Sequence, residues 1–163
     1  MNRPLNSSDI EFAVANHFDW RQNLIVPNIW WGLGFNHELD MIVLTQSRYA
    51  YEIEIKTSVA DLKKDLEKSH MHFSDKIRKL FFAIPKTMEN SIEFIPADAG
   101  IIIVNENLMV QILRRPKINK NARSLTEKEM EKLFHLAAMR VWNLKKKLRE
   151  IRKQRENIFS QNS

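Results

Sequence analysis

The spacing of hydrophobic and polar positions changes period several times along the chain, and each change marks an element. Ser7-Ser8-Asp9 offers an N-cap before IEFAVANHF, where Ile10, Val14 and Phe18 recur at helical spacing, predicting a first helix over residues 8–18. NLIVPNIWWGL, residues 23–33, is rich in β-branched and aromatic residues. Pro27 has no N–H to give a central ladder, so this run predicts an edge strand. ELDMIVLT and YAYEIEIKT are strand-forming runs joined by the polar turn Gln46-Ser47-Arg48, which predicts a hairpin.

Ser58 and Asp61 have capping-box spacing, and Val59, Leu62, Leu66 and Phe73 form an apolar stripe, predicting an amphipathic helix over residues 59–72. KLFFAIP and GIIIVN, separated by a loop containing Pro96, are continuous apolar runs of the kind buried on both faces. The order strand, helix, buried strand predicts a right-handed parallel crossover. LMVQILRR, residues 108–115, adds a further strand.

After the basic loop RRPKINKNAR, Thr126 and Glu129 form a capping box, and neither Gly nor Pro follows, so a long terminal helix is expected. Met130, Phe134, Ala137, Val141, Leu144, Leu148 and Ile151 step by 4, 3, 4, 3, 4, 3, a heptad seam. Thirty residues of helix span about 45 Å, longer than a small core needs, so the distal half is expected to project or meet a partner. The spacing does not rank internal packing of the seam against a homodimer through the C-terminal helix.

The 163 residues suffice for one core. The division expected is an α/β core over residues 1–123 and a basic helix over 124–163, packed on it or extending from it. With no cysteine, disulfides, thiolate nucleophiles and zinc–thiolate sites are excluded. The N-terminus lacks an apolar signal region and no run of 18 apolar residues occurs, so a soluble, cytoplasmic protein with no membrane partner is expected. A Gly-rich phosphate loop and an H-E-x-x-H run are both missing, which argues against an NTPase and a zinc hydrolase.

The net charge of +6 is unevenly placed. Residues 1–139 hold 18 basic and 18 acidic side chains, and residues 140–163 hold 8 and 2, so the whole excess sits in the tail. Such a field can hold phosphates by releasing counterions, or can be a solvated helix face.

The hairpin carries the candidate chemistry. Alternate residues of a strand share a face, so Glu52, Glu54 and Lys56 point one way and Ile53 and Ile55 the other. A turn centred on Ser47 sets opposite each other residues whose numbers sum to 94, pairing Asp40 with Glu54 and Glu38 with Lys56. Like charges directly opposed on a hairpin are destabilising. A divalent cation between Asp40 and Glu54 would reverse that penalty, and hard Mg²⁺ favours a few oxygens plus water and phosphate. Lys56, one pleat repeat beyond Glu54, could stabilise charge at an attacked phosphate or relay a proton. The plain alternative is a solvent-facing strand with Lys56 paired across to Glu38.

Leu39-Asp40, followed by Glu54-Ile55-Lys56 on the next strand and then a helix, resembles the PD-(D/E)XK nuclease superfamily. HELDMIVL, YEIEIKTSVADLKKD, LFFAIP and PADAGIIIV are similar to its MmcB-like branch of candidate bacterial DNA-repair endonucleases, over roughly residues 8–115. The resemblance implies a restriction-endonuclease-like αβββαβ core with a mixed central sheet, carrying the long C-terminal helix in addition. It also implies an Mg²⁺-dependent or Mn²⁺-dependent phosphodiesterase acting on DNA in repair or processing. Asp40, Glu54 and the Ile55 carbonyl would be metal ligands, Lys56 the catalytic lysine, and Glu11 the extra acidic residue of the first helix. Leu39 stands where the superfamily's name has proline.

Lys63, Lys64, Arg114, Arg115, Lys117, Lys145, Lys146, Lys147 and Arg149 are the expected nucleic-acid contacts. An exposed first-turn acid fully accounts for Glu11 by itself. His37, next to Glu38, is expected at the surface, with a place near the site as the alternative; His70 and His72 do not share a helix face, and packing is the stronger reading for Trp30 and Trp31. The rival readings are a non-catalytic DNA-binding module and a coiled-coil assembly protein on the same fold.

Overall fold

The computed structural model describes residues 3–30, 33–35, 37–67 and 74–161, without the side chains of 65–67 and 159–161. The elements are α1 (Ser7–His17), β1 (Leu24–Ile29), β2 (Leu39–Leu44), β3 (Ala50–Ile55), α2 (Val59–Glu67), β4 (Ile77–Pro85), a 3₁₀ segment (Lys86–Phe94), β5 (Gly100–Val104), β6 (Val110–Arg114) and α3 (Glu127–Gln161). The strands lie in chain order in one six-stranded mixed sheet. β3, β4 and β5 run parallel, and the remaining neighbours pair antiparallel. This is the α/β architecture expected.

Local chemistry sets the boundaries. Asn6 is the N-cap of α1, one residue earlier than expected, and it exchanges hydrogen bonds with Asp9 in a capping box. Ser58 Oγ accepts from the Asp61 N–H at 3.2 Å to open α2. The expected extension of α2 to residue 72, with Lys68, His70, His72 and Phe73, lies outside the described residues, as do Trp31 and the Leu66 side chain. The loop expected before Pro96 is the 3₁₀ segment, broken at Ser91.

One face of the sheet carries a continuous apolar cluster: Ile10, Ala13 and Val14 of α1 pack on Met41, Val43, Ile53, Ile55, Phe81 and Ala83. The other face is divided. Ile42 and Leu44 pack under Leu133 and Leu136 of α3, whereas Phe82 and Ile84 pack with Leu62 of α2. Between the two clusters stand the polar side chains of β3, because Glu52 pairs with Ile42 on one side and Leu80 on the other and therefore shares their face.

Thr126 and Glu129 form the expected capping box of α3, with Glu129 Oε2 accepting from the Thr126 N–H at 2.9 Å. Arg123 clamps this corner, donating to Glu129 at 2.8 Å and to Asp75 at 3.0 Å. The helix then crosses beside β1, where Arg140 donates to the Asn28 carbonyl. From Val141 to Ile158 its side chains are exposed.

The heptad seam is thus only partly used. Met130 and Ala137 help cover the sheet, but Phe134, Val141, Leu144, Leu148 and Ile151 stay exposed, and the residues buried by α3 are Leu133 and Leu136. The stripe laid on the sheet is Met130, Leu133, Leu136 and Ala137, which lies to one side of the seam and leaves Phe134 in solvent.

Candidate active site

The register predicted for the hairpin is observed: Met41 pairs with Ile53, Ile42 with Glu52, Val43 with Tyr51 and Leu44 with Ala50. The ladder stops at Met41 and Ile53. There Asp40 takes over, its Oδ2 accepting from the Ile55 N–H at 2.7 Å, while the next N–H, of Lys56, returns to the Ala83 carbonyl of β4. The Asp40 carboxylate therefore sits where β2 and β3 part, opposite Glu54 by continuation of the register.

Glu54 is buried, with its Oε2 accepting from Lys56 Nζ at 2.9 Å. Its other oxygen, Oε1, is also buried and has no hydrogen-bond partner among the described residues. Burial is the main force raising the Glu54 carboxyl, to about 7; the Asp40 and Glu52 charges add to it and the Lys56 ammonium opposes it. Glu11, half-buried on α1, is likewise raised, first by burial and then by the Asp40 charge. Asp40 thus couples electrostatically to Glu54 and to Glu11, and the four expected residues converge on the end of the sheet where β3 finishes.

The plain alternative for the hairpin fails, and the readings of His37 and Trp30 are corrected. Glu38 is exposed and the ion pair of Lys56 is with Glu54, not with Glu38. The solvent-facing reading of β3 fails too, since Glu52 is 0% and Glu54 5% exposed. His37 is not a surface residue: its ring is half-buried and Nε2 lies 2.9 Å from Glu52 Oε1. Trp30, expected to pack, is exposed.

His37, Glu52 and Glu54 each offer a ligand atom within 4.8 Å of the others. Glu52 shares the pleat of Glu54, a signal present in the EIEIK alternation. The return of His37 is set by the chain before β2, where no periodicity announces it.

The expected phosphate contacts fall into three groups. Arg114 is occupied by the carbonyls of Ala99, Ile95 and Pro96, and Lys117 lies 3.2 Å from Asp98. Arg115 is exposed, and the loop that follows is pinned through Asn119 to Ser74, Ile77 and Arg78. These partners lie where β4 and β5 begin. The loop is therefore at the opposite end of the strands from Lys56, a strand length of about 20 Å away.

Lys145, Lys146, Lys147 and Arg149 are exposed on α3. This helix starts beside Arg48, whose carbonyl accepts from the Leu125 N–H, and it passes Asn28 at the far end of β1. Its distal part therefore runs out past the end of the sheet that holds Asp40 and Glu54. Lys63 and Lys64 are exposed on α2, with Lys63 Nζ 4.6 Å from the Phe94 ring.

Buried carboxylates meeting at a strand end, one with an orphaned oxygen, are a donor set suited to a divalent cation, and among the described residues Lys56 is the positive charge bonded to Glu54. No helix among the described residues is long and apolar enough to cross a membrane.

No curated protein matches the sequence. Among solved structures, the SPO1766 protein of unknown function from Silicibacter pomeroyi superposes with a TM-score of 0.63 at 19% identity, covering 92% of this chain and 94% of that one. At that identity the likeness concerns the fold. The family model described as "DNA repair protein MmcB-like" matches residues 25–148, from β1 through the middle of α3 and across every residue of the acidic strand end except Glu11. The chain belongs to the MmcB-like family of DNA repair proteins.

Proposed function

We propose that the chain is a metal-dependent nuclease of the PD-(D/E)XK type that hydrolyses DNA phosphodiester bonds in repair. The observation that carries this reading is the meeting of Asp40, Glu54 and Lys56 where β2 and β3 part, with an orphaned oxygen on Glu54. Asp40, Glu54 and the Ile55 carbonyl would hold Mg²⁺ or Mn²⁺, which supplies an activated water and charge neutralisation at the phosphate.

The chain's own groups divide the remaining work. Lys56 places an ammonium beside Glu54, where it can stabilise negative charge developing on a phosphate oxygen. Asp40 is held in place by the Ile55 N–H, so its carboxylate is oriented before substrate arrives. Glu11 adds a third acid on the side of α1. The distal part of α3, with eight basic side chains against two acidic over residues 140–163, would hold the DNA backbone without reading sequence.

The test is cleavage of plasmid and branched DNA in Mg²⁺ or Mn²⁺ by the wild type, Asp40→Asn and Lys56→Met. Each variant is expected to lose roughly 10²-fold or more, the scale of removing one preorganised charge-stabilising group. Equal cleavage by all three would sink the reading. Salt-sensitive binding with no product would favour a non-catalytic DNA-binding module.

A second reading is supported by the exposed seam of α3. Val141, Leu144, Leu148, Ile151 and Ile158 are all exposed apolar residues, and self-pairing would cover them. Light scattering on the full chain separates monomer from dimer.

A further inference from the structure

We propose that His37, Glu52 and Glu54 form a cation site of their own, for a first-row divalent transition metal, beside the Asp40–Glu54 pair and sharing Glu54 with it. The inference deepens the proposed function by naming a cation class for the same strand end, and it rests on that reading only in placing a metal at Glu54. Its test needs no cleavage.

The first argument is geometric. His37 Nε2 and Glu52 Oε1 are 2.9 Å apart, and ligand atoms of His37, Glu52 and Glu54 lie within 4.8 Å of one another. Adjacent ligands of an octahedral ion with bonds near 2.1 Å stand about 3.0 Å apart, so the His37–Glu52 spacing already matches one edge.

The second argument comes from Glu54. A hydrogen bond alone accounts for the His37–Glu52 contact. It does not account for a second carboxylate buried within ligand range, its side chain 6% exposed and its Oε1 without a hydrogen-bond partner among the described residues. A buried acceptor left in that condition costs free energy, which a cation would recover.

The third argument is ligand chemistry. An all-oxygen set suits Mg²⁺, whereas an imidazole nitrogen with two carboxylates suits Mn²⁺, Fe²⁺ or Zn²⁺. The nitrogen therefore separates this site from the neighbouring one.

Mn²⁺ is the probe. Pulsed electron spin resonance on the tag-free full chain should show ¹⁴N coupling to bound Mn²⁺ in the wild type and in Asp40→Asn. The coupling should vanish in His37→Ala and His37→Gln, with affinity falling roughly tenfold or more there and in Glu52→Gln. Circular dichroism establishes that each variant is folded, and the glutamine variant retains a polar group should alanine fail to fold. No nitrogen coupling in the wild type, or coupling that survives loss of His37, would overturn the inference. Mg²⁺-dependent cleavage without nitrogen coupling removes this site and leaves the nuclease; nitrogen coupling without cleavage does the reverse.

Discussion

The Asp40 carboxylate stands in for a main-chain carbonyl, accepting the Ile55 N–H at 2.7 Å where the β2–β3 ladder ends. Asp40 therefore has a structural role besides the metal-binding one proposed for it, and the two separate by substitution. Asn keeps an oxygen for the Ile55 N–H; Ala leaves that donor orphaned. Asp40→Ala should lower stability by about 1–3 kcal/mol in urea unfolding. Asp40→Asn should unfold close to wild type and, on the proposed reading, lose metal-dependent cleavage.

Glu54 predicts an inverted pH dependence. Its folded-state pKa of about 7 lies above the ordinary value of 4.5, so between those limits the folded protein binds more protons than the unfolded chain. Stability of the metal-free protein should then fall as pH rises from 4.5 to 7. Glu54→Gln should flatten the slope in that window, as read from denaturation midpoints. On the proposed reading, Mn²⁺ at pH above 7 should restore what ionisation removed, because the ionised carboxylate is the ligand.

Glu129 has the opposite sign. Its two hydrogen bonds from Arg123 are the main cause holding its carboxyl down near 2, with the Thr126 cap adding to them. Its contribution is complete above 4.5, its ordinary value, and disappears as pH falls toward 2. Glu129→Ala should cost about 1–3 kcal/mol at neutral pH and little near pH 2, measured by thermal melts across that range.

Gly100 opens β5 against Phe81. A Cβ there would lie 2.5 Å from Phe81 Cδ1 and 2.8 Å from Pro116 Cδ. Gly100→Ala should therefore destabilise by about 1–3 kcal/mol, the scale of overpacking a filled core. Near-neutral unfolding free energy would show that the ring and the proline can both give way.

Leu144 and Leu148, 59% and 47% exposed, contribute little to the core. Leu144→Glu and Leu148→Glu should each leave unfolding within about 0.5 kcal/mol of wild type. Should α3 self-pair, the double variant would be monomeric by light scattering where the wild type is dimeric. Salt separates the two proposed uses of this helix. Screening eases the repulsion between two basic helices, whereas it weakens phosphate binding, so dimer fraction should rise and DNA affinity fall with added salt.

The elements legible from sequence were those whose pattern is local. Pro27 announced an edge strand, the alternation around Ser47 fixed the hairpin register, and Thr126 with Glu129 announced the start of α3. Asp40, Glu54 and Lys56 could be brought together because pleat and register are arithmetic. Long-range packing was less readable. Nothing in RRPKINKNAR says that Asn119 would tie the loop to Ser74 and Ile77, at the end of the sheet away from the acids. Nor does HELD reveal that His37 turns back to Glu52, because the chain before β2 follows no repeat. The heptad left its use open, and the structure settles only the first turns: the sheet is covered by Met130, Leu133, Leu136 and Ala137, while the distal seam projects exposed.

The outer rim of β1 has a consequence for behaviour at high concentration. Pro27 offers no donor there, Asn28 is turned out of line by a φ of 53°, and the Asn28 carbonyl is already taken by Arg140. A neighbouring molecule seeking to add a strand meets a missing donor, a break in the strand's line and an occupied acceptor at that margin, so edge-to-edge pairing is discouraged there. Replacing Arg140 would reopen an acceptor, which makes a residue of the terminal helix a guard against misassembly.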